Sequence, residues 1–235
     1  MKRLIKFLIL DVLLLVLIGC EYREQIRQDV QAEDREVMES VIQEEEMNQE
    51  TGKKIAITFD DGPNVAFTMQ LLDGLRERDV KATFFLLGQN IGKHPDIVRT
   101  MHEDGHLIAN HTYSHMELTA ENGAAYVEEI EKTNALISAL TGEETSFVRP
   151  PYGVWDKRYE EELDMIPVFW TIDPQDWCTF DADTIVERVV EKAEENAIIL
   201  LHDSYQSSVD AALEIIDILQ AEGYEFVTVD ELLVE

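Results

Sequence analysis

The sequence predicts an α/β fold in which seven parallel strands form a barrel. From Lys54 onward, short apolar runs rich in β-branched residues alternate with longer amphipathic stretches. This is the order of a parallel sheet in which each strand is followed by a helix. Of the 235 residues, about 180 to 200 are available for this fold, which is enough for one domain with a sizeable core.

The strand predictions rest on short apolar runs, and the helix predictions on the amphipathic stretches between them. The strands are predicted at Ile55–Phe59, Ala82–Leu87, Leu107–Asn110, Phe147–Arg149, Val168–Ile172, Ile198–Leu201 and Phe226–Val229. The helices are predicted near residues 64–78, 96–104, 120–140, 182–196 and 207–222. In such barrels, the loops after the strands form one rim, so polar residues directly after each apolar run are candidates for a site.

Composition argues against a nucleic acid partner and against a disulfide framework. The chain has 19 Lys and Arg residues against 49 Asp and Glu residues, and its formal net charge of -30 repels phosphate groups. Its two cysteines are Cys20 and Cys178, and Cys20 ends an apolar run, so disulfides are not expected to stabilise the fold. A monomer is expected by default.

The first twenty residues have the order of a bacterial export signal. Met1–Lys6 carries three basic residues, and Phe7–Gly19 is almost wholly apolar. The closing Leu17-Ile18-Gly19-Cys20 resembles a lipobox, which implies a lipidated Cys20 and an extracytoplasmic, membrane-anchored protein. The alternatives are a simple cleaved signal and an uncleaved anchor, for which the apolar stretch falls slightly short of the ~20 residues of a full span.

Residues 21–50 are predicted to be an acidic linker, and residues 51–235 the domain that carries the candidate site. The linker is rich in Glu and Gln and contains neither Gly nor Pro. It cannot bury much apolar surface by itself. Its scattered Val, Ile and Met residues also allow a solvated helix or a helix that binds a partner.

Five segments with unusual polar residues follow the predicted strands. They are Asp60-Asp61 after the first strand, His111 and His115 after the third, Arg149–Gly153 at the fourth, Asp173–Trp177 after the fifth and His202-Asp203 after the sixth. Because the carboxyl ends of parallel strands meet at the same rim, we expect the five segments to converge.

Asp61, His111 and His115 are the predicted ligands of one divalent metal ion. A carboxylate and two imidazoles suit zinc and leave coordination positions open, and cobalt, manganese, nickel and iron accept the same donors. Histidines at this spacing also occur without a metal, and Asp-Asp-Gly-Pro is also a turn sequence, so each motif alone has a purely structural alternative. If Asp61 binds the metal, Asp60 is left to accept a proton from water that the metal activates.

His202 is the predicted general acid. Asp176, in a separate loop, offers a carboxylate that raises the pKa of His202 and keeps the imidazole protonated. Amide hydrolysis needs such an acid because the departing amine must be protonated to leave. Taken alone, His202 is also compatible with a simple place at the edge of the core.

Together, the motifs resemble those of the NodB-homology polysaccharide deacetylases, carbohydrate esterase family four. The five ordered motifs are Thr58–Pro63, His111–His115, Arg149–Gly153, Asp173–Trp177 and Leu200–Asp203, and the likeness extends over residues 54–230. The resemblance implies a distorted (β/α)7 barrel and the same base, metal ligands and acid as above. It also implies supporting roles: orientation of Asp60 by Arg149, tuning of His202 by Asp176, an acetyl pocket from Trp177 and Leu200, and an oxyanion contact from the Tyr152 backbone amide.

The activity that the resemblance implies is hydrolysis of N-acetyl groups from N-acetylglucosamine residues of a polysaccharide, with release of acetate. Export and a membrane anchor favour peptidoglycan, while another surface polymer or chitin oligomers stay open. Gly62-Pro63 resembles members that act on N-acetylglucosamine more than those that act on N-acetylmuramic acid. Two other functions stay open: a wall-glycan-binding protein without turnover, which predicts loss of the base, a ligand or the acid, and a hydrolase of small N-acyl groups or O-acetyl esters. The base, the ligands and the acid are all present.

Overall fold

The computed structural model describes residues 52–233, so the predicted signal, lipidation site and linker lie outside the described residues. Within this range, seven strands and eight α-helices follow the predicted alternation, and a short 3-10 helix covers Pro151–Gly153. The strands are β1 (Lys53–Asp60), β2 (Thr83–Leu86), β3 (Leu107–Asn110), β4 (Phe147–Val148), β5 (Ile166–Pro167), β6 (Ile198–His202) and β7 (Tyr224–Phe226). The helices are α1 (Thr68–Glu77), α2 (Gly88–Ile91), α3 (Pro95–Glu103), α4 (Gly123–Thr141), α5 (Arg158–Leu163), α6 (Ala182–Val190), α7 (Gln206–Ala221) and α8 (Val229–Leu233). None of the helices in residues 52–233 is long and apolar enough to cross a membrane.

All the strands lie parallel in one curved sheet. Its order is β5-β4-β3-β2-β1-β6, and β7 pairs with the beginning of β1. The chain after β5 reaches β6, where Ile172 forms a single bridge with Ile199 and its carbonyl accepts a 2.9 Å hydrogen bond from the Leu200 amide. This bridge joins the two ends of the sheet, and the predicted distorted (β/α)7 barrel is confirmed.

The fifth strand differs from the prediction at residues 168–172. Regular pairing with β4 covers Ile166–Pro167, and the Val168 amide makes one further hydrogen bond of 2.8 Å to the Val148 carbonyl. The chain then crosses to β6, so its pairing with β4 and with β6 is too short on either side to form a continuous strand over residues 168–172. An apolar run alone does not reveal that a segment changes neighbours.

The seventh strand ends at Phe226, and Val229, which was predicted to end a strand, begins α8 instead. The Thr228 amide donates to Glu231 Oε2 at 3.0 Å. This is part of a capping box, which favours a helix start over the β-branched run. The short helices α2 and α5 escape prediction because four and six residues hold too few turns for a periodic pattern.

Strand β1 divides its side chains between the outside and the inside of the barrel. The residues that pack under the helices in the main core are Ile55, Ile57 and Phe59. Ala56 belongs to a smaller, separate core cluster. Because side chains alternate along a strand, Thr58 and Asp60 share the face of Ala56. The strand thus carries Asp60 to the inner face at its carboxyl end.

Truncation of a core side chain on α1 should destabilise the fold far more than truncation of an exposed one. Leu72 is fully buried in the main core, whereas Met69 on the same helix is 38 % exposed. We expect Leu72→Ala to lower the free energy of unfolding by about 3 kcal/mol, because apolar burial is lost and a cavity remains. Met69→Ala should lower it by less than about 1 kcal/mol. Urea denaturation followed by circular dichroism measures both, and equal losses would contradict this assignment of the core.

Candidate active site

A pocket of about 330 Å³ opens at the carboxyl ends of the strands. Its lining comes from all five polar segments that follow the predicted strands: Asp60, Asp61, His111, His115, Pro150, Tyr152, Asp173, Trp177 and His202, together with Trp170 and Leu200. Arg149 and Asp176 are fully buried and lie next to the pocket, where Arg149 contacts Asp60 and Asp176 contacts His202. The structure therefore brings every predicted site residue within 52–233 to one place.

Three of these residues form a site for a divalent metal ion. Asp61, His111 and His115 each offer one ligand atom, and the three atoms lie within 4.8 Å of one another. Asp61 Oδ1 is 3.6 Å from Nε2 of each histidine. Ligand atoms about 2 Å from a tetrahedral ion lie roughly 3.3 Å apart, so this spacing is close to that of a filled site.

The surrounding hydrogen bonds leave the ligand atoms available. His111 Nδ1 lies 2.6 Å from the Arg149 carbonyl oxygen, so Nδ1 carries the proton and Nε2 presents its lone pair. Burial lowers the pKa of His115, which favours the neutral, ligating form. Within residues 52–233, buried Asp61 Oδ1 has no hydrogen-bond donor, and a nearby cation would offset the cost of burying this oxygen unpaired. The residues present fit a divalent ion.

Several site residues adopt a backbone conformation that L-amino acids rarely take. Asp61, Thr112, His115 and Tyr152 have φ values of 72°, 64°, 65° and 60°. Such left-handed conformations cost about 1–3 kcal/mol each and persist only where the surroundings impose them. The loops therefore need tertiary contacts to hold the ligands in place.

The loop that carries Asp61 is held by two such contacts. Asn90 Nδ2 donates a 2.8 Å hydrogen bond to the Asp61 carbonyl. Gly62 lies directly against the buried carboxylate of Asp203, where a Cβ would come within 2.6 Å of Oδ2. Burial raises the pKa of Asp203 to about 7, although the Thr68 hydroxyl donates to its Oδ2. Only glycine fits between this loop and Asp203.

The loop between the two histidines is held by Glu129 from helix α4. Glu129 Oε2 accepts hydrogen bonds from the amides of Tyr113 and Ser114 at 3.0 and 2.6 Å. The Ser114 hydroxyl donates to Oε1 at 3.0 Å. One carboxylate thus satisfies two successive backbone amides and one hydroxyl in the middle of the loop.

Arg149 lies inside the barrel and contacts Asp60. Its Nη1 donates to Asp60 Oδ1 at 2.8 Å and to Thr58 Oγ1 at 2.7 Å, and the guanidinium lies 4.0 Å from the centre of the Phe85 ring. Burial lowers the pKa of Arg149 and Asp60 opposes that effect, but a guanidinium remains charged. Asp60 Oδ2 is 3.7 Å from His111 Nε2 and faces the metal site.

His202 is paired with a fully buried carboxylate. Its Nδ1 lies 2.8 Å from Asp176 Oδ1, and its amide donates to Asp176 Oδ2 at 2.8 Å. Ser208 Oγ donates to the same oxygen at 2.6 Å. Burial alone would lower the pKa of His202, but the hydrogen bond and charge of Asp176, with the charges of Asp60 and Asp61, raise it to about 9. The imidazole is therefore protonated at neutral pH.

The remaining predicted residues lie at the pocket walls and mouth. Leu200 is buried in the wall, and Trp177 is 51 % exposed. Tyr152 is 66 % exposed, and its ring meets His115 edge to face at 4.8 Å. Their proposed parts in holding the acetyl group and the oxyanion stay predictions.

Sequence reasoning assigned no role to five residues that support the site, although Thr58 and Asp203 lie within the quoted motifs; the five are Thr58, Asn110, Glu129, Asp203 and Ser208. Asn110 precedes His111, and its Oδ1 accepts the Thr112 amide at 2.7 Å, so its position next to a ligand was a usable signal. Asp203 follows His202 in the same way. Glu129 had no local signal, because it lies on another element and joins the loop only through the fold.

Removal of the charge of Glu129 should weaken the metal site although Glu129 is not a ligand. Glu129→Gln keeps the size of the side chain but removes its charge, so the acceptor of the two loop amides becomes weaker. We expect metal affinity to fall about ten- to hundredfold, as for other residues that orient ligands. Titration of cobalt(II) into the metal-free protein, followed by visible absorption, measures it. Exposed Glu128 on the same helix provides the matched control, Glu128→Gln, and equal affinities for the two variants would contradict the assigned role.

Comparison with known proteins agrees with this geometry. The sequence profile of the polysaccharide deacetylase family matches residues 47–167. The chain is 40 % identical over 186 residues to a peptidoglycan-N-acetylglucosamine deacetylase of Bacillus cereus, covering 76 % of this chain and 68 % of that protein. It is also 40 % identical over 180 residues to the peptidoglycan-N-acetylmuramic acid deacetylase PdaC of Bacillus subtilis. That match covers 77 % of this chain but 38 % of PdaC, so the chain spans well under half of that relative.

Solved structures show the same architecture. The structure of PdaC from Bacillus subtilis matches with a TM-score of 0.75 at 40 % identity, over 77 % of this chain and 90 % of that one. A family 4 acetyl xylan esterase from Clostridium thermocellum, in complex with a cobalt ion, matches with a TM-score of 0.73 at 33 % identity, over 77 % and 91 % of the two chains. Sequence profile, relatives and structures together show that the chain belongs to the polysaccharide deacetylase family.

Proposed function

We propose that this chain is a metal-dependent deacetylase that removes N-acetyl groups from N-acetylglucosamine residues of peptidoglycan. The proposal rests on one observation. Asp60 and His202 line the same pocket as the metal ligands, and each has a buried partner of opposite charge, Arg149 for Asp60 and Asp176 for His202. These are the groups that amide hydrolysis requires.

Asp61, His111 and His115 are the proposed ligands, and zinc is the proposed ion. When bound, the ion supplies Lewis acidity, which makes water more acidic and a carbonyl carbon more electrophilic. Zinc is favoured by the mixture of one oxygen and two nitrogen donors, although cobalt, manganese, nickel and iron accept the same set. The acetyl xylan esterase relative holds cobalt.

Asp60 is the proposed general base. Arg149 occupies its Oδ1, which leaves Oδ2 free to accept a proton from the attacking water. Oδ2 lies 3.7 Å from Nε2 of the ligand His111, so the base faces the metal site. Arg149 also fixes the carboxylate plane through a hydrogen bond that is fully buried.

His202 is the proposed general acid. Water adds to the acetamide carbonyl carbon, and its proton passes to Asp60. The C–N bond then breaks as the amine nitrogen takes the Nε2 proton of His202. Asp176 holds Nδ1 and keeps His202 protonated at neutral pH, since the pKa of His202 is raised to about 9. The products are acetate and a free glucosamine residue.

The acetyl group is proposed to enter between Leu200 and Trp177, which line the pocket. The Tyr152 amide is the proposed donor to the oxyanion. Its left-handed backbone, with φ 60°, is the kind of strain that is concentrated at functional sites. A well-placed backbone donor contributes roughly 3–4 kcal/mol to the stability of a transition state.

Two relatives support a cell-wall substrate but differ in the sugar. The Bacillus cereus relative is named for N-acetylglucosamine, and PdaC for N-acetylmuramic acid, at the same 40 % identity. We infer N-acetylglucosamine from the Gly62-Pro63 continuation. Peptidoglycan digests with either sugar acetylated would separate the two.

We also propose that the protein acts outside the cytoplasm, bound to the membrane by a lipid on Cys20. The proposal rests on the basic, apolar and small-residue order of residues 1–20. Incorporation of radiolabelled palmitate in the wild type, but not in Cys20→Ser, would support it. Secretion of both proteins without label would contradict it.

Loss of either proton-transfer group should abolish most activity. Full-length protein is stripped with a chelator, reloaded with zinc or cobalt, and assayed for acetate release from N-acetylglucosamine oligomers and from peptidoglycan. We expect Asp60→Asn and His202→Ala to lower kcat about 10²- to 10⁴-fold, and the chelated protein to be inactive until metal returns. Asp73→Asn, a change of an exposed carboxylate on α1, is the control that should retain activity. Release from O-acetylated xylan alone would favour an esterase instead, and no release at all would favour a binding protein.

The pH dependence of kcat should report the Asp176–His202 pair. His202 donates a proton, so activity falls as the pH rises through its pKa of about 9. Asp176→Asn removes the charge that raises this pKa, and the alkaline limb should therefore move to lower pH, with a lower maximum. Ser208→Ala keeps the Asp176 carboxylate and should leave the limb near its wild-type position. An unchanged limb in Asp176→Asn would show that another group controls it.

A further inference from the structure

The loop that carries Asp176 is tied to helix α6 by a side chain that the proposed chemistry does not use. Arg188 Nη1 donates to the Pro174 carbonyl at 2.7 Å and to Thr179 Oγ1 at 2.9 Å. Pro174 lies two residues before Asp176, and Thr179 lies three residues after it. Arg188 therefore holds both ends of the segment that contains the buried partner of His202.

The first of these bonds fixes a peptide unit next to a strained residue. Gln175 has a left-handed φ of 59°, a conformation that persists only where the surroundings impose it. The peptide between Pro174 and Gln175 is held at both ends. Its carbonyl accepts from Arg188, and its N–H donates to Asp173 Oδ1 at 2.7 Å. Rotation of this peptide would break both bonds, and the next residue along the chain is Asp176.

Helix α6 is itself anchored, so Arg188 donates from a fixed position. Ile185 and Val189 on this helix are fully buried in the main core. Asp181 caps its first turn. Support from a packed helix holds a site residue more precisely than a loop does alone.

The carboxylate of Asp176 needs such precision because its own contacts are short. The His202 amide, His202 Nδ1 and Ser208 Oγ all lie within 2.8 Å of its oxygens. Hydrogen bonds weaken as the distance between their atoms grows and as their angles bend. A displacement of the loop backbone would therefore weaken the contact between Asp176 and His202.

We propose that Arg188 is a positioning residue for the deacetylation: it holds the loop at Pro174 and Thr179 so that Asp176 stays bonded to His202. The inference rests on the proposed function, because Arg188 acts through the proposed general acid. Among residues 52–233, Arg188 is not one of those that line the pocket. Its effect on the reaction therefore passes through the loop.

The test compares variants of the full-length, zinc-loaded protein. Arg188→Met keeps the stem of the side chain and removes its donors. Arg188→Lys keeps a cation that can donate to both partners, since both bonds leave the single atom Nη1. Thr179→Val removes one partner and keeps its size. Glu187→Gln, at an exposed residue of the same helix, is the matched control.

We expect Arg188→Met to lower kcat for acetate release from N-acetylglucosamine oligomers about three- to tenfold, the range for one lost hydrogen bond. Arg188→Lys should restore most of this loss, Thr179→Val should show a smaller loss, and Glu187→Gln should show none. Cobalt(II) affinity should be unchanged in all four variants, because none of them contacts a metal ligand.

A double-mutant cycle separates positioning of Asp176 from a general effect on folding. In the Asp176→Asn background, Arg188→Met should lower kcat by less than about twofold, because the charged partner through which Arg188 acts is already lost. An equal fall of kcat in both backgrounds, or no fall in either, would overturn the proposal.

Proton NMR separates this inference from the proposed function, because it needs no turnover. An imidazole N–H that donates to a carboxylate gives a resonance at low field, and His202→Ala identifies the signal of His202. We expect Arg188→Met to broaden or remove this signal and Arg188→Lys to keep it. That result without acetate release by the wild type would retain the positioning of Asp176 by Arg188 and refute the deacetylase. An unchanged signal in Arg188→Met would overturn the inference even if the wild type releases acetate.

Discussion

The buried guanidinium of Arg149 is the contact on which the rest of the site depends. Removal of a charge from water costs several kcal/mol unless partners offset it. Here Asp60, Thr58 and the face of Phe85 all contact the guanidinium. The carbonyl of the same residue accepts the Nδ1 proton of His111. One residue therefore orients both the proposed base and a metal ligand, which fixes their separation independently of the loops.

The loops at the rim depend on a second kind of constraint. Asp61 and His115 both adopt left-handed backbone conformations, which an isolated loop would leave. Glu129 satisfies the amides in the middle of the histidine loop, and Asp203 leaves space only for a glycine beside Asp61. Both carboxylates come from elements distant in sequence, so the ligands come together only once the barrel has formed.

The two proposed proton-transfer groups have opposite buried partners. Asp60 is paired with a cation and His202 with an anion. Arg149 binds Oδ1 of Asp60, and Asp176 binds Nδ1 of His202. Oδ2 of Asp60 and Nε2 of His202 are left for the pocket, so one contact sets both the orientation and the charge of each group. The division of roles between the proposed base and acid follows from this asymmetry, and the exposed side chains of Trp177 and Tyr152 lie at the mouth of the same pocket.

The sequence by itself determined the alternation of strands and helices, the barrel class and the metal ligands, because each rests on a local pattern. A strand followed by polar residues is readable along the chain, and so is the spacing of His111 and His115. Val229 begins a helix for a local reason that the strand prediction overlooked, the capping contact between Thr228 and Glu231. Only the tertiary structure decided that residues 168–172 cross from β4 to β6 and that Glu129 and Asp203 hold the ligand loops. These features arise from contacts between residues far apart in sequence, and such contacts have no periodicity or motif until the fold brings their partners together.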